Sequence, residues 1–321
     1  MEFREDFFEK EILCNFEVSE LMKRAWAAEL EILQLVTTLC DRHGIRYFAD
    51  GGTLLGVIRH QGFIPWDDDI DICLKREDYN RLVPVLLEEL PHGFEVAGMF
   101  AKTRRFQGAE FGQQLRVIAD KDKWDEAEYF KRFHGFPFSG VGIDIFPLDY
   151  MPRDAELVNT QTMIVRIGVA IVSHWDELKR AGELERRLSQ MEEICGVSLP
   201  RDESAYNTVW RTLDSVCSLY DETEADEMTN FIYYINNPNF HVKKESYRDF
   251  IKMPFENMEL AVPCGYEDYL TGQYGDYRQF VKNQSKHGYP FYGEQEKKLR
   301  QYLAESGFAG TLEEYCAEKA R

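Results

Sequence analysis

At 321 residues the chain has room for about two domains, or for one large domain with a helical extension. Its 44% apolar and 14% aromatic content supports a buried core and excludes a disordered composition. Its 38 basic and 57 acidic residues leave a net charge of −19, which excludes a general binder of nucleic acid or anionic membrane, because phosphate binding needs clustered cations.

Val18, Leu21, Met22, Ala25, Ala28, Ile32, Leu35, Val36 and Leu39 recur at helical spacing and predict a helix over 17–43, stopped by Gly44. Residues 45–49 read as a short strand, broken by Asp50, Gly51 and Gly52, and 53–60 as a short helix. A strand is predicted over 69–74, then a helix over 78–90, capped by Glu77 or Asp78 and ended by Pro91 and Gly93. Residues 94–96, 114–119 and 141–146 are further strand candidates, so 45–150 alternates in an α/β or α+β pattern. Helical spacing then dominates over 158–173, 184–195 and 206–219, followed by a strand at 258–262 and helices from Tyr266 and Glu294. The expected division is an N-terminal helical segment, 1–44, packing on a catalytic core, 45–154, with a mainly helical region, 155–321, completing the site.

Seven cysteines are scattered from Cys14 to Cys316 with no C-x-x-C pair, which predicts reduced thiols in a cytoplasmic protein. The opening residues MEFREDFFEKE are charged and carry no apolar leader. The apolar run 163–172 is broken by Arg166 and is shorter than the roughly 20 residues of a membrane helix.

The stretch from Asp50 to Leu74 carries the chemistry. On a strand, Asp67, Asp69 and Asp71 share one face, with Ile70 and Ile72 on the other. Acidic runs are ordinarily solvated, but here they alternate with β-branched residues on a central strand, where unpaired carboxylates are costly. Parallel carboxylates repel unless a cation lies between them, and hard oxygen ligands suit Mg²⁺ or Mn²⁺. Upstream, Gly51-Gly52-Thr53 opens a helix whose N–H groups form a phosphate cradle.

Together these features resemble the nucleotidyltransferase superfamily that includes polymerase β, which implies a third carboxylate on a later strand. Asp144, in GIDIFPLD (142–149), is the match, and Asp149, beyond the predicted strand end, is the weaker choice. Residues 52–74, GTLLGVIRHQGFIPWDDDIDICL, resemble the signature of the LicD family of phosphotransferases, and 143–149 and 261–277 resemble its later blocks. The resemblance implies an α/β (α+β) fold, with a nucleotidyltransferase-like mixed sheet core flanked by helices. It implies Mg²⁺ (or Mn²⁺) held by Asp69, Asp71 and Asp144, with Asp67 an outer ligand or general base. It further implies transfer of phosphocholine, or a related phospho-alcohol, from CDP-choline or another CDP-alcohol donor to a sugar hydroxyl of lipopolysaccharide, teichoic acid or a similar glycan, releasing CMP. Fukutin-related ribitol-phosphate transferases share the motif, so the donor alcohol stays open. A lipid-linked acceptor would call for peripheral contact at the inner face of the cell membrane.

The donor's phosphates need cations, and Arg59 and Arg116 are the candidates, arginine being suited to bidentate phosphate contact. Lys102, Arg104 and Arg105 read equally as a solvated loop, and His60 as a packing or capping residue. A choline head would want aromatic faces; Trp66, beside the acidic strand, is the most suggestive, and Tyr274 lies in the distal block. Two rival enzyme readings are a D-x-D glycosyltransferase using a nucleotide-sugar and a nucleotidyltransferase using an NTP. The first leaves the glycine turn and Asp144 unexplained; the second requires pyrophosphate release. A non-catalytic glycan-binding relative would have no use for three intact carboxylates.

Overall fold

The computed structural model describes residues 1–107, 114–281 and 289–321. A hairpin of β1 (Glu11–Leu13) and β2 (Phe16–Val18) leads into α1 (Glu20–His43). The Ser19 hydroxyl accepts from Met22 N–H at its start, and Gly44 ends it at a left-handed φ of 59°. Next come β3 (Phe48–Ala49), α2 (Gly51–His60), β4 (Asp71–Lys75), α3 (Arg76–Glu89), β5 (Phe94–Ala97), β6 (Leu115–Ala119), α4 (Glu126–Arg132) and β7 (Gly142–Pro152). A helical excursion of α5 (Ala155–Ser173), α6 (Trp175–Arg180), α7 (Leu184–Cys195) and α8 (Ala205–Cys217) returns through β8 (Ala225–Thr229), α9 (Phe231–Tyr234) and β9 (Val242–Lys243). The hairpin of β10 (Phe250–Phe255) and β11 (Met258–Pro263) precedes α10 (Tyr266–Tyr274), α11 (Gly293–Glu305) and α12 (Leu312–Lys319).

The main sheet runs β3-β4-β7-β6-β5, and β8 and then β9 extend it from β7. Only β4 and β7 pair in parallel among the described strands. It is the mixed, helix-flanked sheet expected from the sequence. Its middle strand, β7, is buried at every position, as a strand covered on both faces must be. Helix α1 packs across β6 and β7, which explains why most of its residues are buried.

Of the boundaries that differ from the sequence reading, four bear on the site, each for a physical reason. Helix α2 begins at Gly51, because Leu54 N–H already donates to Asp50 C=O at 2.9 Å. Strand β4 begins at Asp71 rather than Asp69, so 67–69 is irregular backbone. It runs directly into α3, so Glu77 and Asp78 sit in the first helical turn, where acids suit the helix dipole, and do not cap it. Strand β7 continues to Pro152 because β8 takes over as its partner, pairing Asp149 with Thr229.

Asp149 therefore lies inside the strand and outside the candidate site. Arg76 grips it with Nε and Nη2 at 2.5 and 3.0 Å, and reaches Asp214 of α8 with Nη1 at 2.9 Å. This buried fork ties α3, β7 and the helical excursion together. Within the excursion α5 is longer than the apolar run suggested. By length and composition it could cross a membrane, yet it packs against α7, α8 and α9. A methyl group on its Gly168 would meet Leu213 of α8 at 2.3 Å.

Candidate active site

The sheet sets three chemical groups in a row. Asp71 on β4 pairs in register with Asp144 on β7, and Asp144 in turn with Arg116 on β6. Neighbouring strands lie about 4.8 Å apart, so backbone hydrogen bonds alone hold the two carboxylates side by side. Arg116 Nε lies 3.2 Å from Asp144 Oδ1. Burial pushes the Asp71 carboxyl well up, and the charges of Asp69, Asp144, Asp50 and Asp67 add to the shift.

The loop before β4 supplies a second acidic group. One carboxylate oxygen from each of Asp67, Asp68 and Asp69 lies within 4.8 Å of the others. Strict strand alternation would send Asp68 to the opposite face; because the backbone here is not a strand, three successive aspartates converge instead. Two anchors shape the loop: Trp26 Nε1 of α1 donates to Asp67 C=O at 3.0 Å, and Phe291 N–H donates to Asp68 Oδ2 at 2.5 Å. From α1, one turn past Trp26, comes Glu29, 1% exposed. Burial raises its carboxyl well above the usual range, with Asp69 and Asp68 adding to the shift.

The glycine turn faces this cluster. A Cβ on Gly52 would lie 2.5 Å from Asp67 Oδ2, and one on Gly51, whose φ is +50°, would lie 3.2 Å from Asp71 Oδ2. Gly51 N–H donates to Tyr269 Oη at 3.2 Å. The Thr53 hydroxyl accepts from Asp71 N–H at 2.8 Å, so it pins the acidic strand to the helix. Asp50 is buried, its carboxyl raised by desolvation against a hydrogen bond from Tyr269.

The other sequence candidates separate. Arg116 is at the site. Arg59 lies with its guanidinium 4.2 Å from the centre of the Phe280 ring; among the described residues no ion pair joins it to the carboxylates. His60 packs edge-on against the same ring, and burial, then the Arg59 charge, pushes it down to about 4. Trp66 packs edge-on against Phe16 of β2. Lys102 is bound to Leu87 C=O and Arg105 to Asp122, while the side chain of Arg104 lies outside the described set. Among the aromatics, Trp124, Tyr129, Phe130, Phe133, Phe136 and Phe138 form core contacts. Tyr274 keeps 44% exposure, and burial with the charges of Asp50 and Asp71 raises its phenol. Tyr233 of α9, which the sequence did not single out, is 39% exposed and packs on Phe146, two residues beyond Asp144 on the same side of β7.

Every ligand atom offered here is a carboxylate oxygen, the donor set that hard divalent cations prefer. Mutual repulsion among Asp50, Asp67, Asp69, Asp71 and Asp144, with Arg116 in contact with Asp144, is the charge pattern such a cation relieves.

Known proteins are similar to this chain over the stretch that holds these residues. The LicD/FKTN/FKRP nucleotidyltransferase domain matches residues 44–163, which run from the end of α1 to the middle of α5. The lipopolysaccharide cholinephosphotransferase LicD of Haemophilus influenzae is 27% identical over 251 residues, 77% of this chain and 88% of that protein. The human ribitol 5-phosphate transferase FKRP is 42% identical over 48 residues, 15% of this chain and 10% of its own length. The glycine-opened helix and the paired aspartates thus lie within residues 44–163, the stretch of this chain that matches the LicD family's nucleotidyltransferase domain.

Proposed function

We propose that this LicD-family phosphotransferase moves a phospho-alcohol, phosphocholine in the first instance, from a CDP-alcohol to a sugar hydroxyl of a cell-surface glycan, with CMP leaving. The observation that carries the reading is the in-register pair Asp71–Asp144, set beside the Asp67–Asp69 loop and the glycine-opened end of α2. Similarity to a lipopolysaccharide cholinephosphotransferase over most of both chains supports the phosphocholine donor and the glycan acceptor. Asp69, Asp71 and Asp144 would hold Mg²⁺ or Mn²⁺. When bound, the cation supplies charge neutralisation on the transferring phosphoryl group and lowers the pKa of the attacking hydroxyl.

The protein's own groups do the rest. The N–H groups of Gly52 and Thr53, in the first turn of α2, orient donor phosphate oxygens. Arg116 balances Asp144 and is placed to meet phosphate charge. Asp67, against Gly52, serves as outer ligand or as base for the acceptor proton. The partly exposed side chains of Tyr233 and Tyr274 offer the donor's cationic head a contact. We further propose that the enzyme works on the cytoplasmic side, with peripheral membrane contact when the acceptor is lipid-linked.

The test is calorimetric binding of CDP-choline, CDP-glycerol, CDP-ribitol, CTP and UDP-glucose with Mg²⁺, followed by CMP release on adding acceptor glycan. The expected result is metal-dependent CDP-choline binding that Asp71→Asn abolishes, with turnover down at least about 100-fold, the scale of losing one electrostatic stabiliser. Binding of CTP with pyrophosphate release, or of UDP-glucose, would replace the reading with nucleotidyl or glycosyl transfer.

A further inference from the structure

Two glutamates on α1 are both buried, and their surroundings differ sharply. Glu31 is met by Arg132 at 3.1 Å and by His134 at 2.8 Å. Glu29, two residues earlier, has no such partner: among the described residues no ion pair reaches it, and its Oε2 has no hydrogen bond. A buried carboxylate without a compensating charge is among the costlier arrangements in a protein interior. Its place in the fold shows what would compensate it. Glu29 follows Trp26 by three residues, so both lie on one face of α1, and the Trp26 indole is bonded to the Asp67 carbonyl. The charges acting on Glu29 are, in order of effect, those of Asp69, Asp68, Arg116 and Asp67. Arg116 is already in contact with Asp144. Glu29 therefore lies near enough to the three converging carboxylates for their charges to act on it, in a buried position that water reaches poorly.

We propose that Glu29 is a fourth carboxylate of the cation site, supplied by α1 to the Asp67–Asp69 end of the cluster, for a hard divalent ion such as Mg²⁺ or Mn²⁺. The proposal rests on the cation reading of the proposed function and is independent of which donor or acceptor is used. It makes α1 part of the site. It also explains a glutamate on the helix face that otherwise carries Ala25, Trp26, Ile32 and Leu33 into the core.

The test uses the full chain without donor. Mn²⁺ affinity is read by electron paramagnetic resonance, and melting temperature is read with and without Mn²⁺, for wild type, Glu29→Gln, Glu29→Asp and Glu31→Gln. For Glu29→Gln we expect Mn²⁺ affinity to fall at least about tenfold while the metal-free protein melts higher, since repulsion is relieved. Glu29→Asp should recover part of the affinity. Glu31→Gln should melt lower and bind Mn²⁺ as wild type does. Wild-type affinity in Glu29→Gln, or a metal-free Glu29→Gln that melts lower or fails to fold, overturns the inference and leaves the proposed reaction standing. A wild type that binds no Mn²⁺ overturns both the inference and the cation reading, and donor choice is then judged separately from CMP release.

Discussion

Gly51 and Gly52 are adjacent, yet a methyl group on each has a different consequence. Gly51 sits at a left-handed φ, so Gly51→Ala is expected to cost about 1 kcal/mol of stability, read by urea unfolding. Gly52 is in ordinary helical backbone, where alanine is favoured by up to about 1 kcal/mol, but its new Cβ would displace the Asp67 carboxylate. Gly52→Ala should therefore keep its melting temperature and lose activity; an active Gly52→Ala would remove Asp67 from the site. His60 offers a pH test. Its folded-state pKa is depressed from 6.5 to about 4 by burial and then by Arg59, so between these values the unfolded chain binds a proton that the folded protein does not. Stability is then complete above pH 6.5 and is lost as pH falls toward 4. His60→Gln should show a flatter melting-temperature profile across that window, and an unchanged slope would assign the loss to other groups. At this scale the strand positions of Asp71 and Asp144 were legible because isoleucines bracket each of them, whereas Asp69 follows another aspartate and lies on irregular backbone before β4. Asp68 was hidden by the assumption that the strand began two residues early. Glu29 left a readable trace, an acid on the apolar face of a helix, but nothing in the sequence said what it faced.

Among the elements, β7 links the chemistry to the helical excursion. Asp144 lies near its start, and Asp149, five residues on, is held by Arg76 together with Asp214. Arg76→Met would leave two carboxylates facing each other, one wholly buried. It is expected to cost about 3–5 kcal/mol in urea unfolding, the range for removing one partner of a buried pair. A loss below 1 kcal/mol would mean that the excursion is held by its apolar contacts alone. The element types were readable because long apolar periodicities and turn residues dictate them locally. Their ends were not, because tertiary partners decide them: β8, far along the chain, extends β7, and the β4–β7 ladder sets where β4 starts. Likewise the parallel pairing that brings Asp71 beside Asp144 joins residues 73 positions apart, a distance at which local pattern carries no information.

Across the whole molecule, a charge of −19 makes two effects of salt separable. Monovalent salt screens the general repulsion, whereas a divalent ion bound at the carboxylate cluster stabilises the folded state by mass action. Millimolar Mg²⁺ should raise the melting temperature more than KCl of equal ionic strength, and Asp71→Asn should bring the two closer together. Equal shifts in the wild type would mean that the cluster holds no ion tightly.

The excursion from Arg153 to Glu224 leaves the sheet at the end of β7 and re-enters it on the adjacent β8. Arg153 N–H donates to Glu224 C=O at 3.2 Å, and its guanidinium meets Asp226. A segment closed off at such a neck can be lengthened, shortened or exchanged without changing how the sheet is laced. Within a lineage, the helices that sit outside the sheet are therefore free to diverge or be grafted from a cousin while the carboxylate row stays in place. The main toll on that freedom is the acid at position 214, which any replacement must still present to Arg76.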